Sequence, residues 1–67
     1  MLVKSFYKEN NGIQFRADLN QSPDGYSIDY FGNEGSKIKT EFYKDKSVQQ
    51  LANIAESWVN NIQQLNG

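Results

Sequence analysis

Any chemistry in this chain has to be done by carboxylates. Its 67 residues include no histidine and no cysteine. That removes the commonest general base, the commonest thiol nucleophile and the commonest metal ligands. The carboxylates are Glu9, Asp18, Asp24, Asp29, Glu34, Glu41, Asp45 and Glu56. Asp24 and Asp45 have local work, in a turn and at a helix start. Asp18 and Asp29 fall on one strand face, and the turn spacing sets Arg16 directly opposite Asp29. A carboxylate paired with arginine is held ionised, which is the wrong direction for a general acid. Each glycine cluster belongs to a hairpin and not to a strand-to-helix turn, so no loop is shaped to cradle phosphate. The expectation is a non-catalytic protein with no catalytic residue, no metal, no cofactor and no small-molecule ligand.

Binding is the remaining chemistry, and its candidates share one sheet face. Arg16, Asp29 and Lys39 form a cross-strand row there, which by itself is a ladder of opposite charges worth a fraction of a kcal/mol per pair. Phe31 and Tyr43 point to the same face, with Lys37 beside them and Phe6 joining from the first strand. Several aromatics on one open face mark a partner surface. Two partners fit. Aromatics beside Arg16, Lys37, Lys39, Lys4 and Lys8 could stack bases and meet phosphates, as single-strand binders do. Asp18, Asp29 and Glu41 occupy the same face and repel phosphate. Mixed charge with a few aromatics suits a protein partner better. The favoured expectation is therefore a protein-interaction or accessory module that homodimerises, through this face or an edge strand. The alternative is a weak single-stranded nucleic-acid binder.

The elements that must position these residues are marked by turns. Asn10-Asn11-Gly12, Ser22-Pro23-Asp24-Gly25 and Asn33-Glu34-Gly35 punctuate the first two-thirds of the chain. Asparagine and glycine tolerate the positive φ that tight hairpins need. Strands are expected at about 2–8, 13–20, 25–31 and 37–43, and a helix at about 47–65. Period-two patterning puts Ile13, Phe15, Ala17 and Leu19 on the core face, with Tyr26, Ile28 and Tyr30 beside them. Ile38, Thr40 and Phe42 complete that face, leaving Lys37, Lys39, Glu41 and Tyr43 outside. A turn on Pro23-Asp24 pairs Leu19 with Tyr26, Ala17 with Ile28 and Phe15 with Tyr30. A three-residue loop at 33–35 pairs Tyr30 with Ile38, Ile28 with Thr40 and Tyr26 with Phe42. In the first strand, a two-residue turn would put Leu2, Lys4, Phe6 and Lys8 inside. A three-residue turn puts Val3, Ser5 and Tyr7 inside instead. The second is preferred because it keeps both lysines out of the core, and it sends Phe6 outward.

The helix reads clearly. Ser47 with Gln50 three residues on is a capping box, with Asp45 as a competing cap. Val48, Leu51, Ala55, Trp58, Ile62 and Leu65 form one apolar stripe, widened by Ile54 and Val59, and Gly67 is a stop. Trp58 belongs to that stripe, which makes it a core residue before a ligand residue. The expected fold class is α+β: a four-stranded antiparallel meander with one C-terminal helix packed on one face.

Size and charge set the outer limits. A single domain this small buries only about 60% of its unfolded surface, and without cysteine it has no disulfide to help. Good packing or oligomerisation must serve. The net charge of −1, with acids and bases interspersed, gives no footprint for nucleic acid or an anionic membrane. The N-terminal residues lack the apolar stretch of a signal peptide and no segment could span a bilayer, so the expected location is the cytoplasm of the cell or of an infected host. Asn20-Gln21-Ser22 matches the glycosylation sequon and, without a secretion signal, reads as chance.

Three segments carry a resemblance: Phe6-Tyr7-Lys8-Glu9-Asn10-Asn11-Gly12, then Pro23-Asp24-Gly25-Tyr26 with Asp29-Tyr30, and Ala55-Glu56-Ser57-Trp58-Val59. Through them the chain resembles small single-domain proteins of unknown function from viruses of marine cyanobacteria. The resemblance implies a compact accessory protein of phage type and carries over no functional residue. In order of elements alone, four strands and a helix is similar to the dimeric single-stranded-DNA-binding domains of transcriptional coactivators. Three strands and a helix is similar to the arm-binding domains of phage integrases. Both are basic on the binding sheet, and this chain is not.

Overall fold

The computed structural model describes residues 1–66, the side chains of Asn10 and of residues 62–66 excepted. Four strands run in the order β1 (Leu2–Asn10), β2 (Ile13–Ser22), β3 (Gly25–Phe31) and β4 (Lys37–Tyr43). They form one antiparallel sheet in chain order, and a single helix, α1 (Val48–Asn66), follows. This is the α+β meander with a C-terminal helix that the pattern predicts. The expected helix stop at Gly67, and the stripe positions Ile62 and Leu65, lie outside the described side chains.

Each turn sets a register, and three registers differ from the expected ones. The β1–β2 loop has two residues, because Asn10 pairs with Ile13. Asn11 and Gly12 both take positive φ, 56° and 82°, as a two-residue hairpin of the twist-matched type requires. Phe6 therefore faces Ala17 and points inward, where it is 9% exposed. Ser5 and Tyr7 face outward, the reverse of the preferred expectation, and Val3 falls at an irregularity between Leu2 and Lys4. The two lysines that argued against this register stay out of the core. Lys4 is exposed, and its ammonium sits 5.1 Å from the Phe6 ring centre, so the stem covers apolar surface and the charge stays wet.

The β2–β3 loop is tighter than expected. Ser22 pairs with Gly25, which leaves only Pro23 and Asp24 between the strands. The faces come out as expected, but the strands slide by two residues: Leu19 meets Ile28, Ala17 meets Tyr30, and Asp18 meets Asp29. Arg16 stands opposite Phe31 and not Asp29. Gly25 is required here. Its φ is +146°, and a Cβ would lie 2.5 Å from the Tyr43 carbonyl oxygen.

The β3–β4 loop closes as expected at Asn33–Gly35, with the Gly32 N–H donating to the Ser36 carbonyl at 2.8 Å. Phe31 then pairs with Lys37, but Tyr30 pairs with Lys39. Ile38 is the extra residue of a bulge. From that point every side chain of β4 changes face. Lys39, Glu41 and Tyr43 share the helix side, opposite Tyr30, Ile28 and Tyr26. Thr40 and Phe42 point to the open side, and Phe42 is 79% exposed.

The helix starts as the capping box predicts. The Ser47 hydroxyl accepts from the Gln50 N–H at 3.2 Å, and the Gln50 side-chain oxygen accepts from the Ser47 N–H at 2.9 Å. The helix lies chiefly over β1 and β2. Leu51, Ala55 and Val59 close on Phe6, Ala17, Leu19, Ile28 and Tyr30 to form the core. Trp58 reaches across, 4.8 Å from the Tyr30 ring and 6.2 Å, edge-on, from Phe15. The other face of the sheet has no layer over it among the described residues.

Candidate interaction face

Registers turn the open face into rows. Tyr7 pairs with Arg16, Arg16 with Phe31, and Phe31 with Lys37. That row crosses all four strands and alternates ring, cation, ring, cation. The next row toward the β2–β3 turn is Ser5, Asp18, Asp29 and Thr40, a hydroxyl at each end and two carboxylates between.

The aromatic row is held by cation–ring contacts. The Arg16 guanidinium lies 4.1 Å from the Phe31 ring centre, and the Lys37 ammonium lies 5.9 Å from the same ring. Such contacts contribute on the order of 0.5–1 kcal/mol at exposed sites, and they fix where the charges sit. Phe31 is half-buried, and Tyr7, at the β1 end, is exposed.

The carboxylate row needs compensation, because like charges directly opposite on a sheet repel. Asp29 has it in full. One oxygen accepts from the Thr40 hydroxyl and lies 3.7 Å from the Lys37 ammonium. Its second oxygen accepts from the Asn20 amide at 3.0 Å. Asp18 has it on one side only: Oδ1 accepts from the Ser5 hydroxyl at 2.8 Å and lies 3.2 Å from Arg16 Nε. That Nε is buried yet makes no directed hydrogen bond, so its tie to Asp18 is ionic proximity with a poor angle. Asp18 Oδ2 and the two terminal nitrogens of Arg16 make no hydrogen bond among the described residues.

The six expected face residues do not stay together. Arg16, Phe31 and Lys37 meet on the open face. Phe6 is in the core, because the first turn has two residues. Lys39 and Tyr43 lie on the helix side, because the Ile38 bulge turns β4 over. There the Lys39 ammonium is 5.0 Å from the Tyr30 ring and 2.8 Å from a Glu41 oxygen. This neighbour holds the Glu41 carboxyl below its ordinary range, first by the hydrogen bond and then by charge. Burial pushes the Tyr30 phenol well above its ordinary range, and the neighbouring Tyr43 hydroxyl adds to that. Pattern reading missed Ser5, Tyr7 and Thr40 as face residues. For Ser5 and Tyr7 the signal was present in Asn10-Asn11-Gly12, because closing that turn on Asn10 and Ile13 turns both outward; Thr40 follows from the Ile38 bulge.

Two shallow hollows of about 320 and 360 Å³ adjoin at Phe42, Tyr43 and Lys44. Their charges, Asp24, Lys44, Asp45 and Lys46, are exposed and of mixed sign. Among the described residues no helix is long and apolar enough to cross a membrane, and no group of three or more carboxylates is placed to hold a metal ion. No family model, curated protein or solved structure matches the chain.

Proposed function

We propose that this protein is a small non-catalytic interaction module that pairs with a second copy of itself through the open sheet face. The observation that carries the reading is the Tyr7–Arg16–Phe31–Lys37 row on a face that no layer covers among the described residues. The sheet edges are poorer candidates. β1 carries Lys4 and Lys8, β4 carries Lys37 and Lys39, and each has an irregularity in its ladder. Lysines and bulges are how proteins blunt edge pairing. A net charge of −1 opposes self-association only weakly. Four strands about 4.8 Å apart and seven to ten residues long give a footprint of roughly 19 by 23–33 Å, small for a specific interface. The expected dimer is therefore one of micromolar affinity.

Light scattering and sedimentation across a concentration series test this. The wild type should pass from monomer to dimer in the micromolar range, and Phe31→Asp should stay monomeric. A wild type that remains strictly monomeric at high micromolar concentration refutes the reading.

One observation favours a second reading, a weak single-stranded nucleic-acid binder: Phe31 lies between two cations. Asp18 and Asp29 in the adjoining row count against it. Its signature is binding of a mixed oligonucleotide that falls steeply from low to moderate salt, and falls again in Arg16→Ala. Absence of binding at low salt removes it. Either role suits a compact accessory protein of a phage, acting in the host cytoplasm.

A further inference from the structure

Resting on the dimer reading, we infer that the two copies meet about a two-fold axis running across the strands, between the two rows, so that Arg16 of each copy lies over Asp18 of the partner subunit. A symmetric dimer presents the same patch from both sides, so the patch must be complementary to itself. Two axes lying in the interface satisfy a sheet-on-sheet contact. An axis parallel to the strands, between β2 and β3, would bring Asp18 over Asp29 of the partner subunit. That gathers four carboxylates in a space losing water, which is strongly unfavourable. An axis across the strands exchanges the rows instead. Each cationic row then lies over a carboxylate row, and no like charges are stacked.

The local bonding selects the same pair. Asp29 has both oxygens engaged within its own chain. Asp18 has one oxygen engaged, by Ser5, and Oδ2 without a hydrogen bond among the described residues. Arg16 has its plane held at the Phe31 ring and its Nε beside Asp18 Oδ1, while its terminal nitrogens make no hydrogen bond there. An unused acceptor and an unused fork of donors thus stand two residues apart on one strand. About 6.6–6.8 Å separates such positions along a strand, and the proposed axis passes midway between them. Arginine suits this role because its planar fork can meet a carboxylate through two parallel hydrogen bonds.

Charge reversal gives the test, with dimerisation read by sedimentation. Arg16→Asp sets a new carboxylate against Asp18 across the axis, and Asp18→Arg sets a new guanidinium against Arg16. Each variant alone should dimerise at least tenfold more weakly than the wild type. Mixing the two should restore association, because both contacts across the axis are again of opposite sign. The double variant Arg16→Asp, Asp18→Arg should dimerise with itself for the same reason. A wild-type dimer whose reversal variants associate unchanged, or whose mixture fails to recover, overturns this axis and leaves the dimer reading standing. A monomeric wild type overturns both. Circular dichroism first checks that each variant is folded. Should a reversal variant unfold, Arg16→Gln and Asp18→Asn take its place: each weakens the dimer, and the double variant weakens it no further. Losses that simply add overturn the pairing.

Discussion

The two central strands and the two outer strands of one sheet follow different rules. In β2 and β3, alternation sorts side chains as expected: Ala17, Leu19, Ile28 and Tyr30 face the helix and are buried. In β1, and in β4 beyond Ile38, the faces are reversed. Phe6 goes in where Tyr7 was expected, and Phe42 goes out where a core residue was expected. The difference follows from how each strand is paired. A central strand is paired on both sides, and a slip of two residues leaves its faces unchanged, so β2 and β3 bury the set that alternation predicts. An outer strand is held from one side only. The helix lies mainly over β1 and β2, so β4 has little to gain from turning Phe42 inward. Turn geometry and a bulge then decide the face.

The sharpest way to break this comparison is within β1. Phe6→Ala should cost about 3 kcal/mol, the usual loss for a buried phenylalanine. Tyr7→Ala, one residue on and exposed, should cost within about 0.5 kcal/mol. Urea unfolding at a concentration below that of the proposed dimer measures both. The opposite ranking would mean that the three-residue turn is correct and the strand is turned over.

A second pair of variants compares the hairpins. Gly25→Ala meets two penalties, a positive φ and a Cβ 2.5 Å from the Tyr43 carbonyl oxygen. Gly12→Ala meets only a positive φ, because nothing lies within 4 Å of its added Cβ. The expected losses are about 2–3 kcal/mol for Gly25→Ala and about 1 kcal/mol for Gly12→Ala. Equal losses would show that the central hairpin is not buttressed by the end of β4.

The sequence makes the fold class, the helix start and the central faces legible because each rests on a local rule. Ser47 and Gln50 meet through one turn of helix, and Leu19 and Ile28 through period two. The open-face rows rest on register, which depends on counting turn residues correctly. The Pro23-Asp24 loop has two residues, so Arg16 slides from Asp29 to Phe31. The loop at Asn33–Gly35 closes as its glycine suggests, yet Ile38 adds a residue just beyond it. No local signal marks that bulge, since isoleucine is an ordinary strand residue. Of the six expected face residues, only Arg16, Phe31 and Lys37 share the open face.

The central position of Tyr30 also gives a pH dependence. Its phenol is raised above the ordinary value of 10.0, mainly by burial and further by the neighbouring Tyr43. The folded protein thus holds the proton more tightly than the unfolded chain does. The stability this confers is complete below the unfolded value and is lost as pH rises above it. Unfolding free energy should decline above about pH 10, and Tyr30→Phe should flatten that decline. Absorbance at alkaline pH should show one tyrosine ionising only as the fold is lost. A chain whose four tyrosines all ionise together while folded would place Tyr30 at the surface.

The smallest effect is expected at Phe42, and it tests the comparison from the other side. Phe42 is the most exposed aromatic that the sheet displays, 79% open to solvent opposite Ser27. Phe42→Ser should change monomer stability by no more than about 0.5 kcal/mol. A loss near that of Phe6→Ala would put Phe42 in the core, restore the unshifted β4 register and return Lys39 and Tyr43 to the open face. Near-neutrality has a consequence of its own. A large apolar side chain that contributes nothing to folding is a solubility liability, and β4 carries it on the side away from the helix, with Phe31 and Tyr7 on that face. The aromatic residues of β4 are thus divided, Tyr43 packing against the core and Phe42 lying on the open face.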